Sequence, residues 1–432
     1  MKFSVMNLGC KVNAYESESV AALFEAAGYE RTEFGEACDV AVIFTCAVTN
    51  TAAQKSRQMV HRARRKNPDA IVAVAGCYVQ IDPDVLGDVQ VLVGTADKTK
   101  IPEFVEEYRK TGVPVRHLTD MENMPFENMG MDRFEYQSRA YLKVQDGCNQ
   151  FCSYCVIPYA RGRERSMAPD DVIREAKKLA ENHREIVLTG IHTGRYGREY
   201  GVSLAQLMKR ILAAAPKLER LRISSIEITE IDDELIDLLQ HDKRVARHLH
   251  IPLQSGCDTV LQRMNRPYST AEYYARIEKI REVLPDISIS ADLITGFPQE
   301  TEEEHRRTCD FLRQCRFSFL HVFPYSLRSG TSAEKMSGHL APEVKKKRAA
   351  ECMAISEELY DIYKSGWLGR QAEVLYETAR DGYTAGHTSE YLPVRVEGIH
   401  PAGEMAAVLI SELQDHQLYG KAVKESESKG TV

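Results

Sequence analysis

No stretch of about 18 apolar residues occurs in the 432-residue chain, so a membrane-spanning helix is not expected. The opening residues, MKFSVMNLGCKVNAYESES, turn polar too soon for a secretory signal, which leaves the cytoplasm as the expected compartment. There is no overall basic excess: the formal charge is −7, which argues against a general nucleic-acid binder but leaves local clusters free to meet phosphates. A reducing compartment leaves little room for disulfides, so the 11 cysteines point to metal binding or catalysis. The rest of the composition, 43% hydrophobic and 28% charged, is that of a globular protein, and the length suits roughly two to four domains.

Residues 1–110 alternate short apolar runs with amphipathic stretches. FSVMNLG, VAVIFT, IVAVAG and VQVLVG suit buried parallel strands, and Tyr15–Ala27 and Thr51–Lys66 suit helices between them. This predicts a small parallel α/β domain. Residues 111–138 are polar, methionine-rich and without period, and read as a linker. Over 139–366 a unit of apolar strand, polar loop and helical stretch recurs, with AYLKV, EIVLT, LRISS, HLHIP, ISISADLIT and FLHVF as its strands. Six units predict a partial (βα)6 barrel, closed by a helix from Pro342 to Ser365, with reactive groups gathered at the strand ends. Residues 367–432 change character: RQAEVLYET, YLPVRVEG, EMAAVLISEL and LYGKAV predict a small all-β barrel, ending in a frayed tail, KESESKGTV.

The sharpest motif is DGCNQFCSYCVIPYARGRERS, where Cys148, Cys152 and Cys155 are spaced C-x3-C-x2-C. Thiolates are the ligands iron–sulfur clusters need, and three on one loop hold three corners of a cubane while leaving its last iron open. An open coordination position separates a reactive metal site from a structural one. A zinc ribbon brings a second cysteine pair downstream, whereas the next cysteine, Cys257, stands alone. A structural metal loop is the plainer reading of the same residues.

Cys10, Cys46 and Cys77 lie far apart, yet each follows an apolar strand, in MNLGC, IFTC and AVAGC. In a parallel sheet all carboxyl ends lie on one edge, so the three loops can converge on a second three-thiol site. Three buried small hydrophobes are the equal alternative. Cys38 precedes its strand and belongs to the opposite edge. Cys257, Cys309, Cys315 and Cys352 lie in helical or turn contexts without partners at ligand spacing, and read as core or surface thiols.

The three-cysteine loop, with Tyr154 before its third cysteine and a six-unit barrel around it, resembles the radical S-adenosylmethionine superfamily. With NLGCKVNAYES, FTCAVTNTA and AVAGCYVQ ahead of it and a terminal β-barrel behind, the chain over 1–423 is similar to the methylthiotransferase family. The resemblance implies two 4Fe-4S clusters, one on Cys148, Cys152 and Cys155 and one on Cys10, Cys46 and Cys77, together with S-adenosylmethionine. One S-adenosylmethionine gives a methyl group to the sulfur of the N-terminal cluster; another, on the open iron, gives the radical that removes hydrogen from an unreactive carbon. The protein's share is then positioning and the exclusion of water. Tyr154 would pack near the adenine, and Thr189, Gly190, Ser225, Glu227, Gln254, Gly296 and Ser326 are candidate cofactor contacts, each equally readable as an ordinary strand-end residue. No catalytic side chain beyond the cluster ligands is expected. A low-potential flavodoxin or ferredoxin is the implied electron donor, and the protein is expected to be a monomer.

Members of this family modify either the adenosine beside a tRNA anticodon or an aspartate on a ribosomal protein. Three basic segments favour the tRNA anticodon stem-loop: Lys55–Lys66, which contains no acid, Arg161, Arg163 and Arg165 just after the cysteine loop, and Lys345–Arg348. Each also reads as a solvated helix face. The terminal barrel resembles the family's usual RNA-binding (TRAM-like) module, yet 367–423 holds four Lys or Arg against eight Asp or Glu, which is awkward for gripping phosphates and suggests a small basic patch or a contact to the nucleoside. FTCAVTNTA, KVQDGCNQFCSYCVIPYARGRERS, EIVLTGIHTG and HLHIPLQSG are most similar to the branch acting on N6-threonylcarbamoyladenosine, with the isopentenyladenosine branch as runner-up. The threonylcarbamoyl carboxylate calls for a cation, for which Arg161 or Arg163 is the candidate. A non-catalytic, metal-stabilised RNA-binding protein is the rival from outside the enzymes.

Overall fold

The computed structural model describes residues 1–47, 50–131, 134 and 138–423. Val48 and Thr49 of the FTCAVTNTA segment, five positions of the 111–138 segment and the KESESKGTV tail lie outside them.

The N-terminal part is a parallel sheet in the order β2-β1-β3-β4-β5-β6. Its strands are β1 (Lys2–Asn7), β2 (Glu30–Thr32), β3 (Val40–Thr45), β4 (Ile71–Gly76), β5 (Val91–Val93) and β6 (Val115–His117), and its main helices α1 (Lys11–Ala26), α2 (Asn50–Lys66), α3 (Cys77–Ile81) and α4 (Ile101–Thr111). Every residue of β3 and β4 is buried, because helices cover both faces. Val40, Val42 and Phe44 enter one core and Ala41 and Ile43 the other, the period-two split of a pleated strand. The four apolar runs are all strands, but the sheet has two more. ERT (β2) and VRH (β6) are three-residue edge strands with little apolar signal, and β6 lies inside the segment read as a linker.

Six parallel strands form the central half-barrel: β7 (Ala140–Lys143), β10 (Glu185–Thr189), β11 (Arg220–Ile223), β12 (His248–His250), β13 (Ser288–Thr295) and β14 (Phe319–Pro324). They pair as two triplets, joined across β11 and β12 by the Leu221–Val245 bridge and by Ile226 N–H donating to the His250 carbonyl at 3.0 Å. A short ribbon of β8 (Gln145–Asp146) and β9 (Arg165–Ser166) closes the loop that carries α5 (Ile157–Arg161). The outer helices are α6 (Pro169–Ala180), α7 (Leu204–Ala214), α8 (Asp233–His241), α9 (Asp258–Arg263), α10 (Thr270–Val283), α11 (Glu302–Cys315) and α12 (Pro342–Ser365). Capping boxes start three of them: Ser203 with Gln206, Ser269 with Glu272 and Thr301 with Glu304. No helix of the described residues is long and apolar enough to cross a membrane.

β15 (Gln371–Arg380), β16 (Tyr383–Thr388), β17 (Pro393–Glu397), β18 (Met405–Gln414) and β19 (Gln417–Ala422) form a closed barrel around Val374, Val394, Val396, Val408, Ile410 and Leu418. It docks where the central strands begin. Arg220 donates to the Glu373 carbonyl at 2.8 Å, Arg222 to the Ser389 carbonyl at 2.9 Å, and Arg139 pairs with Glu377. Part of the terminal barrel's acidic excess is therefore matched by arginines of the same chain.

Candidate active site

The three-cysteine loop is held in place by backbone geometry. Gly147 has φ 72°, and a Cβ there would lie 1.9 Å from the Arg163 carbonyl oxygen, so only glycine fits where Cys148 begins. Cys148 N–H donates to the Gly162 carbonyl at 3.1 Å and Cys155 N–H to the Cys152 carbonyl at 2.9 Å. The sulfurs also have donors around them: the Gln150 N–H and His192 Nδ1 each lie 3.4 Å from Cys148 Sγ, and Arg266 Nη1 lies 3.4 Å from Cys152 Sγ. Such contacts orient thiolate ligands and tune the potential of a cluster. His192 belongs to the strand-end segment TGIHTG; Arg266 carries no sequence signal, and only the fold brings it to Cys152.

Beside Cys155 opens a cavity of about 170 Å³, lined by Tyr154, Gln254, Asp292, Tyr325 and Ser326 among others. Tyr154, Gln254 and Ser326 thus lie together next to the cysteine loop. The Tyr325 hydroxyl is buried and has no hydrogen-bond partner among the described residues, a polar handle suited to a ligand. The other candidates lie elsewhere. Thr189 ends β10 and Gly190 follows it, packed on Gln145; Ser225 lies just beyond β11; Glu227 pairs with Arg266, which reaches Cys152. Gly296 makes a turn at φ 70° whose N–H donates to Glu300 at 3.0 Å, with Lys345 against the space a Cβ would take.

Cys10, Cys46 and Cys77 follow β1, β3 and β4, which are neighbours in the sheet. Thr45 pairs with Gly76, so Cys46 and Cys77 leave the edge side by side. Gly76 has φ 112°, and a Cβ there would meet the Thr45 carbonyl at 2.7 Å. Cys38 lies at the other edge, near Lys2 and Asn67. A second cavity, of about 560 Å³, is lined by Ala47, Tyr78 and Val156, the chain neighbours of Cys46, Cys77 and Cys155, and by Arg57, Tyr159 and Arg328 among others.

Arg161 corrects the sequence reading. It is fully buried and therefore out of reach of a substrate. Its Nε donates to Cys77 Sγ at 3.2 Å, and its other nitrogens to Glu16 at 3.0 Å, Asp146 at 3.1 Å and Asn13 at 2.8 Å. Lys98 and Lys143 also reach Glu16, at 3.2 and 2.7 Å, and Lys143 reaches Asp146 at 2.8 Å. Arg165 is likewise spent, on Asp146 at 3.2 Å and on the Arg161 carbonyl at 2.6 Å. Of the three arginines only Arg163 is exposed, over the Phe151 ring. In this knot Lys98, Lys143, Arg161 and Arg165 outnumber Glu16 and Asp146, a buried positive excess beside Cys77 that suits thiolates carrying an anionic cluster. Burial first, with Cys10 and Glu16 nearby, pushes the Cys77 thiol up, and Arg161 only partly opposes it.

The half-barrel lumen is polar, with His248, His250, Ser290, Asp292 and His321 on β12–β14 and Arg222 and Glu185 opposite. Lys11, next to Cys10, reaches among these groups. It makes no hydrogen bond or ion pair with another described residue. Burial first, then Arg222 and Arg139, brings its amine down to about 8. Sequence reasoning passed over it because one lysine after a cysteine has no motif value.

A model described as the radical SAM superfamily matches residues 142–312, and one described as uncharacterized protein family UPF0004 matches residues 2–94. The chain is 42% identical to "Threonylcarbamoyladenosine tRNA methylthiotransferase MtaB" of Bacillus subtilis, over 90% of this chain and 89% of that protein. It belongs to the radical S-adenosylmethionine methylthiotransferase family. Another family member, "tRNA-2-methylthio-N(6)-dimethylallyladenosine synthase" of Syntrophus aciditrophicus, is 34% identical over 98% of this chain and 94% of that protein. A solved radical S-adenosylmethionine methyltransferase, TsrM from Kitasatospora setae, shares the fold with a TM-score of 0.54, at 16% identity over 75% of this chain and 74% of its own. As a methylthiotransferase of this family the chain is a transferase whose cofactors are S-adenosylmethionine and 4Fe-4S clusters.

Proposed function

We propose that this methylthiotransferase acts on tRNA, placing a methylthio group on carbon 2 of N6-threonylcarbamoyladenosine beside the anticodon. The activity for which the Bacillus subtilis relative is named supports this reading. The observation that carries it is Lys11, a partly buried cation with no hydrogen-bond or ion-pair partner among the described residues, in the half-barrel lumen next to Cys10. The threonylcarbamoyl group ends in a carboxylate, which would complete that charge, whereas a prenyl group would leave it bare.

In this reading Cys148, Cys152 and Cys155 hold the cluster that binds S-adenosylmethionine, with Tyr154, Gln254, Tyr325 and Ser326 around the ligand. Cys10, Cys46 and Cys77 hold the second cluster. When bound, these groups supply the radical and the sulfur. The chain's own residues orient and enclose: Arg161 fixes Cys77, Arg266 and His192 fix the central sulfurs, and Lys11 fixes the nucleoside. Exposed Tyr159 and Phe323, at the cavity mouths, offer faces on which a splayed base stacks. Arg163 and the exposed face of α2, with Lys55, Arg62 and Arg65, meet phosphates.

Mass spectrometry of tRNA nucleosides from a deletion strain tests this. The 2-methylthio form of N6-threonylcarbamoyladenosine should vanish and its unthiolated form rise. Wild-type protein should restore it and Lys11→Met should not, although the variant keeps its iron. Loss of the isopentenyl methylthio-nucleoside instead would transfer the assignment to that branch, and unchanged nucleosides would favour the ribosomal-protein substrate.

A further inference from the structure

Away from both cysteine groups, where α11 crosses α12, four potential donors meet. Cys309 Sγ lies 4.0 Å from Cys352 Sγ and 3.6 Å from His305 Nε2, and His305 Nε2 lies 2.7 Å from Glu351 Oε2. His305 and Cys309 share a face of α11, one helical turn apart, and Glu351 and Cys352 are consecutive on α12. Cys309 and Cys352 are therefore not the partnerless thiols their separation in sequence suggests. His305 is 3% exposed and Cys352 not at all, so the site is sheltered, while the half-buried Cys309 and the partly exposed Glu351 leave a path for an ion.

We propose that His305, Cys309 and Cys352, with Glu351 as the fourth donor, form a structural zinc site. Tetrahedral coordination with Zn–S near about 2.3 Å and Zn–N near about 2.0 Å places two thiolates just under about 4 Å apart and thiolate and imidazole at about 3.5 Å. The sulfur–sulfur and sulfur–nitrogen separations here are already close to that. Two thiolates, an imidazole and a carboxylate suit zinc, whereas magnesium and calcium take all-oxygen shells. The carboxylate now bonded to His305 needs only to swing off the ring nitrogen to take the fourth position.

The location gives such an ion a task. Arg348, one turn before Cys352, pairs with Glu300 at 2.8 Å, and Glu300 accepts the Gly296 N–H in the turn after β13. β13 also contributes Asp292 and Ile294 to the cavity beside Cys155. An ion clamping α11 to α12 fixes the helix that carries Arg348, and with it the turn at the end of a strand lining that cavity.

The test is zinc K-edge X-ray absorption with parallel metal analysis on anaerobically purified, cluster-loaded enzyme. The iron clusters do not contribute at that edge. The expected result is about one zinc per chain with two sulfur and two lighter scatterers, near about 2.3 and 2.0 Å. In Cys309→Ser and His305→Gln the zinc should fall several-fold with iron unchanged. A shell of three or four sulfurs would place zinc in the cysteine loops and overturn the proposal. So would background zinc in the wild type, zinc unaffected by either substitution, or a Cys309–Cys352 disulfide in the mass spectrum. The wild-type absorption spectrum decides the matter even if a variant fails to fold.

Discussion

Replacing Arg161 by Gln removes a side chain that ties α1, the central three-cysteine loop and Cys77 together. Five hydrogen bonds from its guanidinium to Glu16, Asp146 and Asn13, and a sixth to Cys77 Sγ, are lost or weakened. Removing one partner of a buried charge pair costs about 3–5 kcal/mol. Lys98, Lys143 and Arg165 still face the two carboxylates, so we expect the lower end, about 3 kcal/mol, or about a hundredfold in an opening equilibrium. The protein has several units and need not unfold in one step, so the assay must be local. Hydrogen exchange on cluster-loaded enzyme should show the amides of α1 opening about a hundredfold more readily, with iron per chain reduced as the site at Cys77 loosens. The double variant with Glu16→Gln should lose more rather than recover, because Lys98, Lys143 and Arg165 are then left facing Asp146 alone. If α1 exchange and iron were unchanged while tRNA affinity fell, Arg161 would be a substrate contact and the argument from its burial would fail.

Gly76→Ala should destabilise the enzyme by about 1–3 kcal/mol and lower iron at the N-terminal group selectively, since φ 112° and the Thr45 carbonyl leave no room for a methyl; thermal shift and iron analysis against a Gly112→Ala control, at an open turn, check it. Acidification should release the terminal barrel. Burial alone would raise Glu185, but Arg222, Arg139 and Arg220 outweigh it and hold the carboxyl well below the usual range. Its stabilisation is therefore complete above the unfolded value of about 4.3 and fades only as pH falls below it. Protease sensitivity of the 367–370 junction should be flat from about pH 6 to 8 and rise below about 4; a rise near neutrality would refute this account.

Much of this architecture is legible in the sequence because it rests on period and spacing. The VAVIFT and IVAVAG runs are continuous since both faces of their strands are covered, and Cys148, Cys152 and Cys155 share one short loop. Cys10, Cys46 and Cys77 are legible because parallel strands send their ends to one edge. What stayed hidden depends on side chains meeting across units. Arg161 sits in a basic run that looks like a phosphate contact, and only packing against Glu16, far away in sequence, reveals an internal bond. VRH at β6 is too short and too polar to announce a strand, and His305 with Cys352 needed two helices to cross.

α5 has a consequence for how the reaction is timed. Its last residue, Arg161, follows Cys155 by six positions and touches Cys77, so one short stretch of backbone is covalently part of the central three-cysteine loop and bonded to the sheet edge that carries Cys77. Breathing between the sheet and the half-barrel would have to stretch that tether before it could separate the two centres. In the proposed reaction, the gap a nucleoside would bridge is in this way set by a segment of fixed length, whatever the outer helices do.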